Sequence, residues 1–343
     1  MRAAYLIEPG RIEVRDEPVP APEPGGLVVR VRVALTDGTD LKAVRRGHPQ
    51  MPMPTRFGHE FSGDVAAVGD GAVGFAVGDA VACVHSAPCG ACFWCECEQE
   101  ELCEHVMDTK ILGAYAQFIA VPRTIVARNA YHKPPALSYA AAAFLEPLAC
   151  VVHAQDVLAP RPGACVLVIG DGGFGLLHGM VARARGCTAL LAGRHPERFA
   201  LAESLGFART IIVRDGGDDA VLSAVRAQTH GRGADAAIEC TGSLDVWEAA
   251  PRFVRRGGTA LLFGGLPGGS RPAFDAARLH YDEVRVLSPF HFTPRAVRTA
   301  FELLASGAID PLPLLSGTYA LDELPLAFAA LDAGDGIKYA IQP

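Results

Sequence analysis

The sequence lacks the features that mark secreted, membrane-spanning and nucleic-acid-binding proteins. Its first residues, MRAAYLIEPG, contain no apolar signal-peptide core, and no apolar run elsewhere is long enough to span a bilayer. No block of basic residues is present and the net charge is −7, so an electrostatic partner such as a phosphate backbone is not expected. These absences favour a cytoplasmic protein that acts on a small molecule, without a membrane or nucleic-acid partner.

The composition is that of a globular protein with more than one core. Half of the residues are hydrophobic and a fifth are charged. A single core rarely serves 343 residues, so two domains are expected.

Six of the ten cysteines fall within the stretch 83–103. Four of them follow the spacing C-x2-C-x2-C-x7-C: Cys89, Cys92, Cys95 and Cys103. Four thiolates so spaced make the closed tetrahedral site of a structural zinc. A disulfide framework suits a long chain without a secretion signal poorly, and an iron–sulfur cluster needs a different context for the fourth cysteine. Cys97 is interpreted as a bystander.

From about residue 160 onward, short apolar runs alternate with helical patterns, which predicts a parallel, doubly wound α/β sheet. The predicted strands lie at 165–170, 188–193, 209–213, 234–240, 259–265 and 284–288. The first strand leads into a G-x-G-x-x-G turn formed by Gly170, Gly172, Gly173, Phe174 and Gly175. Such glycines let the backbone approach a pyrophosphate, and the free N–H groups of the next helix face it, so a dinucleotide is expected. A glycine-rich turn without a ligand is the alternative.

The end of the second predicted strand indicates which dinucleotide is bound. NAD-binding folds place an acid there for the ribose 2′-OH. This chain has Gly193 followed by Arg194, with His195 and Arg198 nearby. With no carboxylate there to repel a 2′-phosphate and a guanidinium to bind one, NADP(H) is expected over NAD(H). A solvated loop arginine is the alternative.

Several motifs together resemble the medium-chain dehydrogenase/reductase superfamily, in its zinc-dependent alcohol and polyol dehydrogenase branch. They are GHE-x2-G-x5-G from Gly58, the four-cysteine lobe, EPLA at 146–149, the glycine turn and the closing IKYAIQP. The resemblance runs nearly end to end. It implies a GroES-like, β-rich catalytic domain over 1–150 that 290–343 rejoins, an inserted Rossmann NAD(P)-binding domain over 151–289, and homodimers or homotetramers.

The same resemblance implies a catalytic zinc. Members of the family bind it through the Cys of C-G-[ST]-D, the His of GHE and a further Cys or Glu, which correspond here to Asp37, His59 and Glu146. The cysteine position is therefore an aspartate, in the stretch LTDGTD. Zinc accepts all three ligand types, but an oxygen ligand should lower its affinity and admit harder metals. A metal-free site, as in the quinone and enoyl reductases of the superfamily, is the alternative.

Further roles follow by position in the family. Thr39 matches a relay hydroxyl, and Lys42 stands where many members have a relay histidine, although a solvated surface lysine fits equally well. Glu60 is expected beside the metal or as an exchanging ligand. Asp40 is expected to cap the turn. His153 either lines the cofactor cleft or is a core residue.

The sequence therefore predicts a zinc-dependent, NADP(H)-linked dehydrogenase that interconverts a secondary alcohol and a ketone. Carboxylates at the metal favour a polyhydroxylated substrate such as a sugar, cyclitol or aminosugar. Two alternatives stay open at this point: a metal-independent NADPH-dependent enoyl or quinone reductase, and a non-catalytic protein that binds a nucleotide or a partner through its cysteine lobe.

Overall fold

The computed structural model describes residues 1–49, 51–214 and 217–343. Its strands are β1 (Arg2–Glu8), β2 (Arg11–Asp16), β3 (Leu27–Leu35), β4 (Thr55–Arg56), β5 (Phe61–Val68), β6 (Ala80–Cys83), β7 (Phe118–Val121), β8 (Ala130–His132), β9 (Cys165–Ile169), β10 (Thr188–Gly193), β11 (Arg209–Ile212), β12 (Ala234–Glu239), β13 (Val254–Leu262), β14 (Arg285–Leu287), β15 (Leu315–Ala320) and β16 (Lys338–Gln342). Its helices are α1 (Gly38–Arg46), α2 (Phe93–Glu96), α3 (Arg123–Asn129), α4 (Tyr139–Ala142), α5 (Leu145–Leu158), α6 (Gly173–Ala184), α7 (Phe199–Ser204), α8 (Asp218–Gln228), α9 (Leu244–Ala249), α10 (Ala276–His280), α11 (Pro294–Ala305) and α12 (Leu324–Ala333). Among these described residues, no helix is long and apolar enough to cross a membrane.

The described chain divides into two compact units. The first comprises Met1–Ala149 and Phe292–Pro343, and the second comprises Cys150–His291. In the first unit, a mixed sheet has the strand order β15-β16-β3-β5-β6-β8, with β7 also paired to β3. Strand β3, LVVRVRVAL, is buried except at its two arginines, as expected for a central strand with few polar positions.

The C-terminal strand β16 pairs antiparallel with the end of β3, so that Ala340 lies opposite Leu35. This pairing brings the tail beside the residues that follow β3: Thr36 accepts a hydrogen bond at its Oγ1 from the backbone N of Tyr339, at 2.9 Å. The C-terminal strand, 303 positions further along the chain, therefore packs beside the start of α1.

An aromatic core fixes the stretch that carries the GHE motif. Phe57 packs edge-on against Tyr115, with ring centroids 4.9 Å apart, and also contacts Phe328 of α12. Gly58 has a φ of +86°, and a Cβ on it would meet the Tyr115 ring at 2.7 Å, so glycine is required there. The close approach turns the following residues, His59 and Glu60, into the interior, where both are buried.

The second unit is a six-stranded parallel sheet with the order β11-β10-β9-β12-β13-β14. This is the doubly wound dinucleotide-binding arrangement, and it confirms the predicted α/β fold class. One boundary was wrong: the strand predicted from residue 259 begins at Val254. Gly257 and Gly258 do not break it, because a register shift between Ala234 and Ala236 of β12 accommodates them.

Candidate active site and zinc centres

Asp37 follows β3 and caps helix α1. Its backbone is extended (φ −131°, ψ 157°), and its Oδ2 accepts a hydrogen bond from the backbone N of Thr39 at 2.6 Å. The side chain is buried, and Oδ2 lies 3.7 Å from Nε2 of His59. The stretch LTDGTD is thus both a helix start and the source of a buried carboxylate beside an imidazole.

The expectation that Asp40 caps this turn is wrong, since the cap is Asp37. Asp40 lies in the first turn of α1 and points inward, completely buried. Its Oδ2 accepts a hydrogen bond from the Tyr115 hydroxyl at 2.8 Å, and its Oδ1 lies 3.5 Å from Nδ1 of His59. The two nitrogens of His59 therefore face two different carboxylates.

Glu60 completes a compact group with these residues. Three residues, Asp37, His59 and Glu60, each offer one ligand atom, and these three atoms lie within 4.8 Å of one another. Both carboxylate oxygens of Glu60 also accept from Nζ of Lys338, at 2.7 and 2.5 Å, and Nζ donates to the carbonyl of Thr36 at 2.7 Å. Burial lowers the pKa of Lys338, but Glu60 and Asp37 outweigh it and raise that pKa overall, so Lys338 is charged. Burial raises the pKa of Glu60 well above its usual value, against the opposing effect of Lys338.

Glu146 lies beside that group and contacts a residue that the sequence did not single out. Its Oε1 lies 3.4 Å from Nδ1 of His85. The His85 ring meets the His59 ring edge-on, with centroids 5.1 Å apart. The structure thus brings Asp37 and His59 together with Glu60, and joins Glu146 to them through His85.

The cluster is rich in buried acids. Four buried carboxylates face one buried lysine and two buried histidines, namely Asp37, Asp40, Glu60 and Glu146 facing Lys338, His59 and His85. Burial lowers the pKa of His59, but Asp40 foremost, then Glu146 and Asp37, raise it well above its usual value. Burial raises the pKa of Asp37, but His59 and Lys338 lower it overall. An excess of buried negative charge with an imidazole nitrogen is a donor set that suits a divalent cation, so the residues fit zinc.

The other residues singled out from the sequence differ in exposure. Thr39 is half-buried beside the cap of α1, next to Asp37. Lys42 is exposed on the same helix. His153 is buried within α5.

The cysteine lobe has the geometry of a four-thiolate site. One sulfur each from Cys89, Cys92, Cys95 and Cys103 lie within 4.8 Å of one another. The separations of Cys95 Sγ from Cys92 and Cys89 Sγ are 3.6 and 3.9 Å, close to the roughly 3.8 Å expected for sulfurs about 2.3 Å from one tetrahedral zinc. Backbone N–H groups of Cys95 and Glu104 lower the pKa of Cys92 to about 6, which favours its thiolate.

The fifth nearby cysteine differs from these four. Cys97 is exposed at the end of α2 and lies outside the group. The four clustered sulfurs therefore fit a structural zinc without it.

The glycine turn has the shape that a pyrophosphate needs. Gly170 directly follows β9 with a φ of +117°, and a Cβ on Gly175 would meet the Gly170 carbonyl oxygen at 1.8 Å. Gly172 caps α6 and Gly173 begins it, and a Cβ on Gly172 would meet nothing within 4 Å. Phe174 packs against Phe263. The helix N-terminus is consequently open to a phosphate, so these residues fit a dinucleotide.

A carboxylate lies at the end of β10, where the sequence analysis expected none. Arg194 is exposed there, while the carboxylate of Asp171, from the glycine turn, lies against Gly193: a Cβ on Gly193 would meet its Oδ2 at 2.3 Å. Asp171 also contacts His195 and Arg198. The expectation of no carboxylate at this strand end is wrong because β9 and β10 are parallel neighbours, and the residues that follow them meet at one edge of the sheet.

Comparison with known proteins agrees with this geometry in both parts of the chain. Residues 23–131 match the model of the alcohol dehydrogenase GroES-like domain, and residues 173–306 match that of zinc-binding dehydrogenases. The D-altritol 5-dehydrogenase of Agrobacterium fabrum is 31% identical over 77% of this chain and 76% of its own length. The chain belongs to the zinc-dependent medium-chain dehydrogenase/reductase family.

Two further relatives cover this dehydrogenase nearly end to end. The sorbitol dehydrogenase of Bacillus subtilis is 29% identical over 94% of this chain and 91% of its own. A structure described as a zinc-binding dehydrogenase from Sinorhizobium meliloti, bound to NADP, is 30% identical, covers 100% of this chain and 99% of its own, and has a TM-score of 0.89. The dehydrogenase is accordingly an oxidoreductase acting on CH–OH groups, with zinc and a nicotinamide nucleotide as cofactors and small molecules as substrates.

Sequence interpretation of this dehydrogenase missed residues whose partners are distant along the chain. Lys338 belongs to the closing motif IKYAIQP and Asp171 belongs to the glycine turn, so both residues lie in motifs that the sequence revealed. A lysine inside an apolar strand was a usable signal, because such a residue is rarely buried unless it is paired. His85 lies in an apolar stretch that matches no motif, and nothing in its surroundings indicated a role.

Proposed function

We propose that this dehydrogenase is an NADP(H)-linked enzyme that interconverts a secondary alcohol and a ketone on a polyhydroxylated substrate, such as a sugar, cyclitol or aminosugar. The observation that carries the proposal is the buried group of Asp37, His59 and Glu60, with Glu146 next to it. A metal-independent enoyl or quinone reductase has no use for such a concentration of buried acids, which is costly to fold without a cation.

In this proposal, Asp37 and His59 are the fixed ligands of the catalytic zinc, and Glu146 or Glu60 completes the set. Asp40 holds Nδ1 of His59 and so directs the lone pair of Nε2 toward the metal side, where Asp37 lies. Glu60, which is paired with Lys338, is the nearer carboxylate and suits an exchanging ligand.

The bound zinc supplies Lewis acidity at the substrate oxygen, and the nicotinamide supplies or accepts the hydride. The protein must then move one proton between the substrate oxygen and solvent. The hydroxyl of Thr39, held beside Asp37 by the helix start, can accept and donate that proton. Lys42 is exposed three residues further on α1, where it can exchange a proton with water.

The substrate class rests on the chemistry of the carboxylates and on the relatives. Carboxylate oxygens accept hydrogen bonds from hydroxyl groups, so a substrate with several hydroxyls gains contacts that a simple alcohol lacks. Relatives named as sorbitol and D-altritol dehydrogenases are similar in sequence over most of the chain. Both facts favour a polyol and its ketose.

The preference for NADP(H) rests on Arg194. This arginine is exposed directly after β10, where the adenosine ribose lies in dinucleotide-binding sheets. A guanidinium there can bind a 2′-phosphate through paired hydrogen bonds. The relative from Sinorhizobium meliloti that was solved with NADP supports the same choice.

Metal content is the first test, measured on wild type, Asp37→Asn and Asp70→Asn. Asparagine keeps the helix cap but removes the charged ligand, and Asp70 is an exposed aspartate that serves as the control. We expect two zincs per chain in wild type and Asp70→Asn, and one in Asp37→Asn. Two zincs in Asp37→Asn would contradict the assignment of Asp37.

Substrate panels test the rest of the proposal. NADPH-dependent reduction of D-fructose, D-xylulose and 2-butanone should favour the polyhydroxylated ketones, and chelation should abolish it. Activity confined to 2-butanone would refute the substrate class. Full activity after removal of the catalytic metal would indicate a metal-independent reductase, and nucleotide binding without turnover of any ketone or polyol would indicate a binding protein.

We also expect a homodimer or homotetramer. Strand β14 is an outer strand of the six-stranded sheet, and the flanking side chains of Tyr281 and Phe290 are 80% and 52% exposed. An exposed strand edge with apolar neighbours favours association. Light scattering on the purified protein measures the number of chains.

A further inference from the structure

Asp171 and His195 form a close pair at the carboxyl end of β10. The backbone N of His195 donates to Oδ2 of Asp171 at 2.8 Å, and its Nδ1 lies 2.9 Å from Oδ1. The Asp171 side chain is 7% exposed, whereas that of His195 is 42% exposed. The imidazole therefore covers the carboxylate on its solvent side.

Arg198 places a positive group behind this pair. Its Nη1 lies 3.8 Å from Oδ1 of Asp171 and 3.4 Å from the Asp171 carbonyl oxygen, to which it donates. Because the Arg198 side chain is 12% exposed, it is directed inward rather than toward solvent. The exposed cation at this strand end is Arg194, which directly precedes His195.

Asp171 lies where NAD-binding sheets have an acidic residue. Dinucleotide-binding sheets that take NAD have an acid at the end of the second strand, where it accepts a hydrogen bond from the ribose 2′-OH. Asp171 reaches that place from the neighbouring loop, because Gly193 leaves room for it. Its Oδ2 is occupied by the backbone of His195, and Oδ1 is covered by the imidazole.

We propose that His195 determines cofactor specificity by masking Asp171, so that the carboxylate neither accepts from a ribose 2′-OH nor repels a 2′-phosphate. This inference builds on the proposed use of NADP(H) and assigns it to a pair of residues in addition to Arg194. His195 acts through Asp171 and is in that sense a positioning residue. Without it, Oδ1 keeps the more distant contact with Nη1 of Arg198, at 3.8 Å, and can accept a hydrogen bond from a ribose 2′-OH.

The test measures binding of nucleotide fragments, which requires neither zinc nor turnover. Calorimetry compares 2′,5′-ADP with 5′-AMP on wild type, His195→Ala, Asp171→Asn and the double variant. In His195→Ala, affinity for 2′,5′-ADP should fall about tenfold and affinity for 5′-AMP should rise several-fold, about what one hydrogen bond to a charged group contributes. In the double variant the gain for 5′-AMP should disappear, since its acceptor is no longer charged.

Four results separate this inference from its rivals. A gain for 5′-AMP that persists in the double variant would overturn masking, and so would an equal loss for both fragments in His195→Ala. Arg194→Ala is the control: it should weaken 2′,5′-ADP without strengthening 5′-AMP. If wild type binds both fragments equally, the proposed NADP(H) preference fails, while the coupling between positions 171 and 195 still decides whether the mask exists.

Loss of folding is checked on the same samples. Because the His195 side chain is 42% exposed, His195→Ala should change the stability of the fold little. The backbone N of residue 195 still donates to Asp171 in this variant. Thermal midpoints within a few degrees of wild type are expected. Fluorescence titration with NADPH and NADH on the intact chain should reproduce the direction seen with the fragments.

Discussion

The carboxylate of Asp40 lies 3.5 Å from Nδ1 of His59, and neither side chain is on the surface. The pair is tied to the aromatic core, because Asp40 also accepts from the hydroxyl of Tyr115. An acid behind a metal-binding histidine fixes the tautomer and the orientation of its ring. Asp40, in the sequence GTD at the start of α1, thereby orients the ring of His59 in the GHE motif, 19 positions later.

Asp40→Asn should weaken metal binding at the Asp37–His59 site about 10- to 100-fold, because the amide cannot stabilise the imidazole as a carboxylate does. Chelator competition measures the affinity, and the zinc of the cysteine lobe should remain. Tyr115→Phe, which keeps the carboxylate and removes its donor, should cause a smaller loss. Equal zinc affinity in wild type and Asp40→Asn would refute this role.

Lys338→Met should destabilise the fold by about 3–5 kcal/mol, because it leaves Glu60 buried without its partner. Urea unfolding at fixed zinc concentration measures the change. Lys42→Met is the matched control: this lysine is exposed, so its loss should change stability by less than about 0.5 kcal/mol. The double variant Lys338→Met with Glu60→Gln should recover part of the loss, and a double variant as unstable as the sum of both would argue against a direct pair.

Cys103→Ser should remove one zinc per chain and lower the thermal midpoint, because an open three-thiolate site holds zinc less firmly than a closed tetrahedron. Cys97→Ser is the control, since Cys97 is exposed and lies outside the four-sulfur group. Metal analysis and thermal unfolding of both variants decide the point. Loss of zinc in Cys97→Ser, with retention in Cys103→Ser, would reassign the ligands.

His178 should make the protein less stable in mild acid. Burial foremost, together with Arg185, lowers its pKa to about 3 from the usual 6.5. Between these values the unfolded chain binds a proton that the folded chain does not, so stability rises with pH and is lost as pH falls from about 6.5 toward 3. Between pH 7.5 and 5.5 this residue alone accounts for about 1.4 kcal/mol.

His178→Leu should flatten that part of the pH dependence, measured by urea unfolding at pH 7.5 and 5.5. The substitution removes the titrating ring from a position packed against Phe263. His280→Gln, at an exposed histidine of the same unit, should leave the slope unchanged. An unchanged slope in His178→Leu would mean that His178 does not stay neutral in the folded state.

The main features of the fold were predictable because they depend on local patterns. Apolar strands alternating with helices predicted the parallel sheet, and the glycine turn predicted where it opens to a nucleotide. The start of β13 was missed, because glycines 257 and 258 look like a break unless the register of β12 is known. The spacing of the four cysteines was sufficient to predict a compact sulfur group, since all four lie within one short segment.

The candidate active site was predictable only in part. Asp37 and His59 come together as the motifs indicated, but the third member of their compact group is Glu60, while Glu146 lies against His85. No pattern along the chain reveals that Lys338 pairs with Glu60 or that Tyr115 pairs with Asp40. These pairs depend on β16 joining β3 and on the packing of Phe57 against Tyr115.

The sequence by itself determined the family, the four-cysteine group and the dinucleotide turn, because each depends on short segments whose spacing fixes its geometry. Tertiary structure alone decided which charges meet. Asp171 follows β9 and His195 follows β10, and Glu60 and Lys338 are 278 positions apart along the chain. Electrostatic pairing depends on distance in space, and that distance is set only when the sheets form.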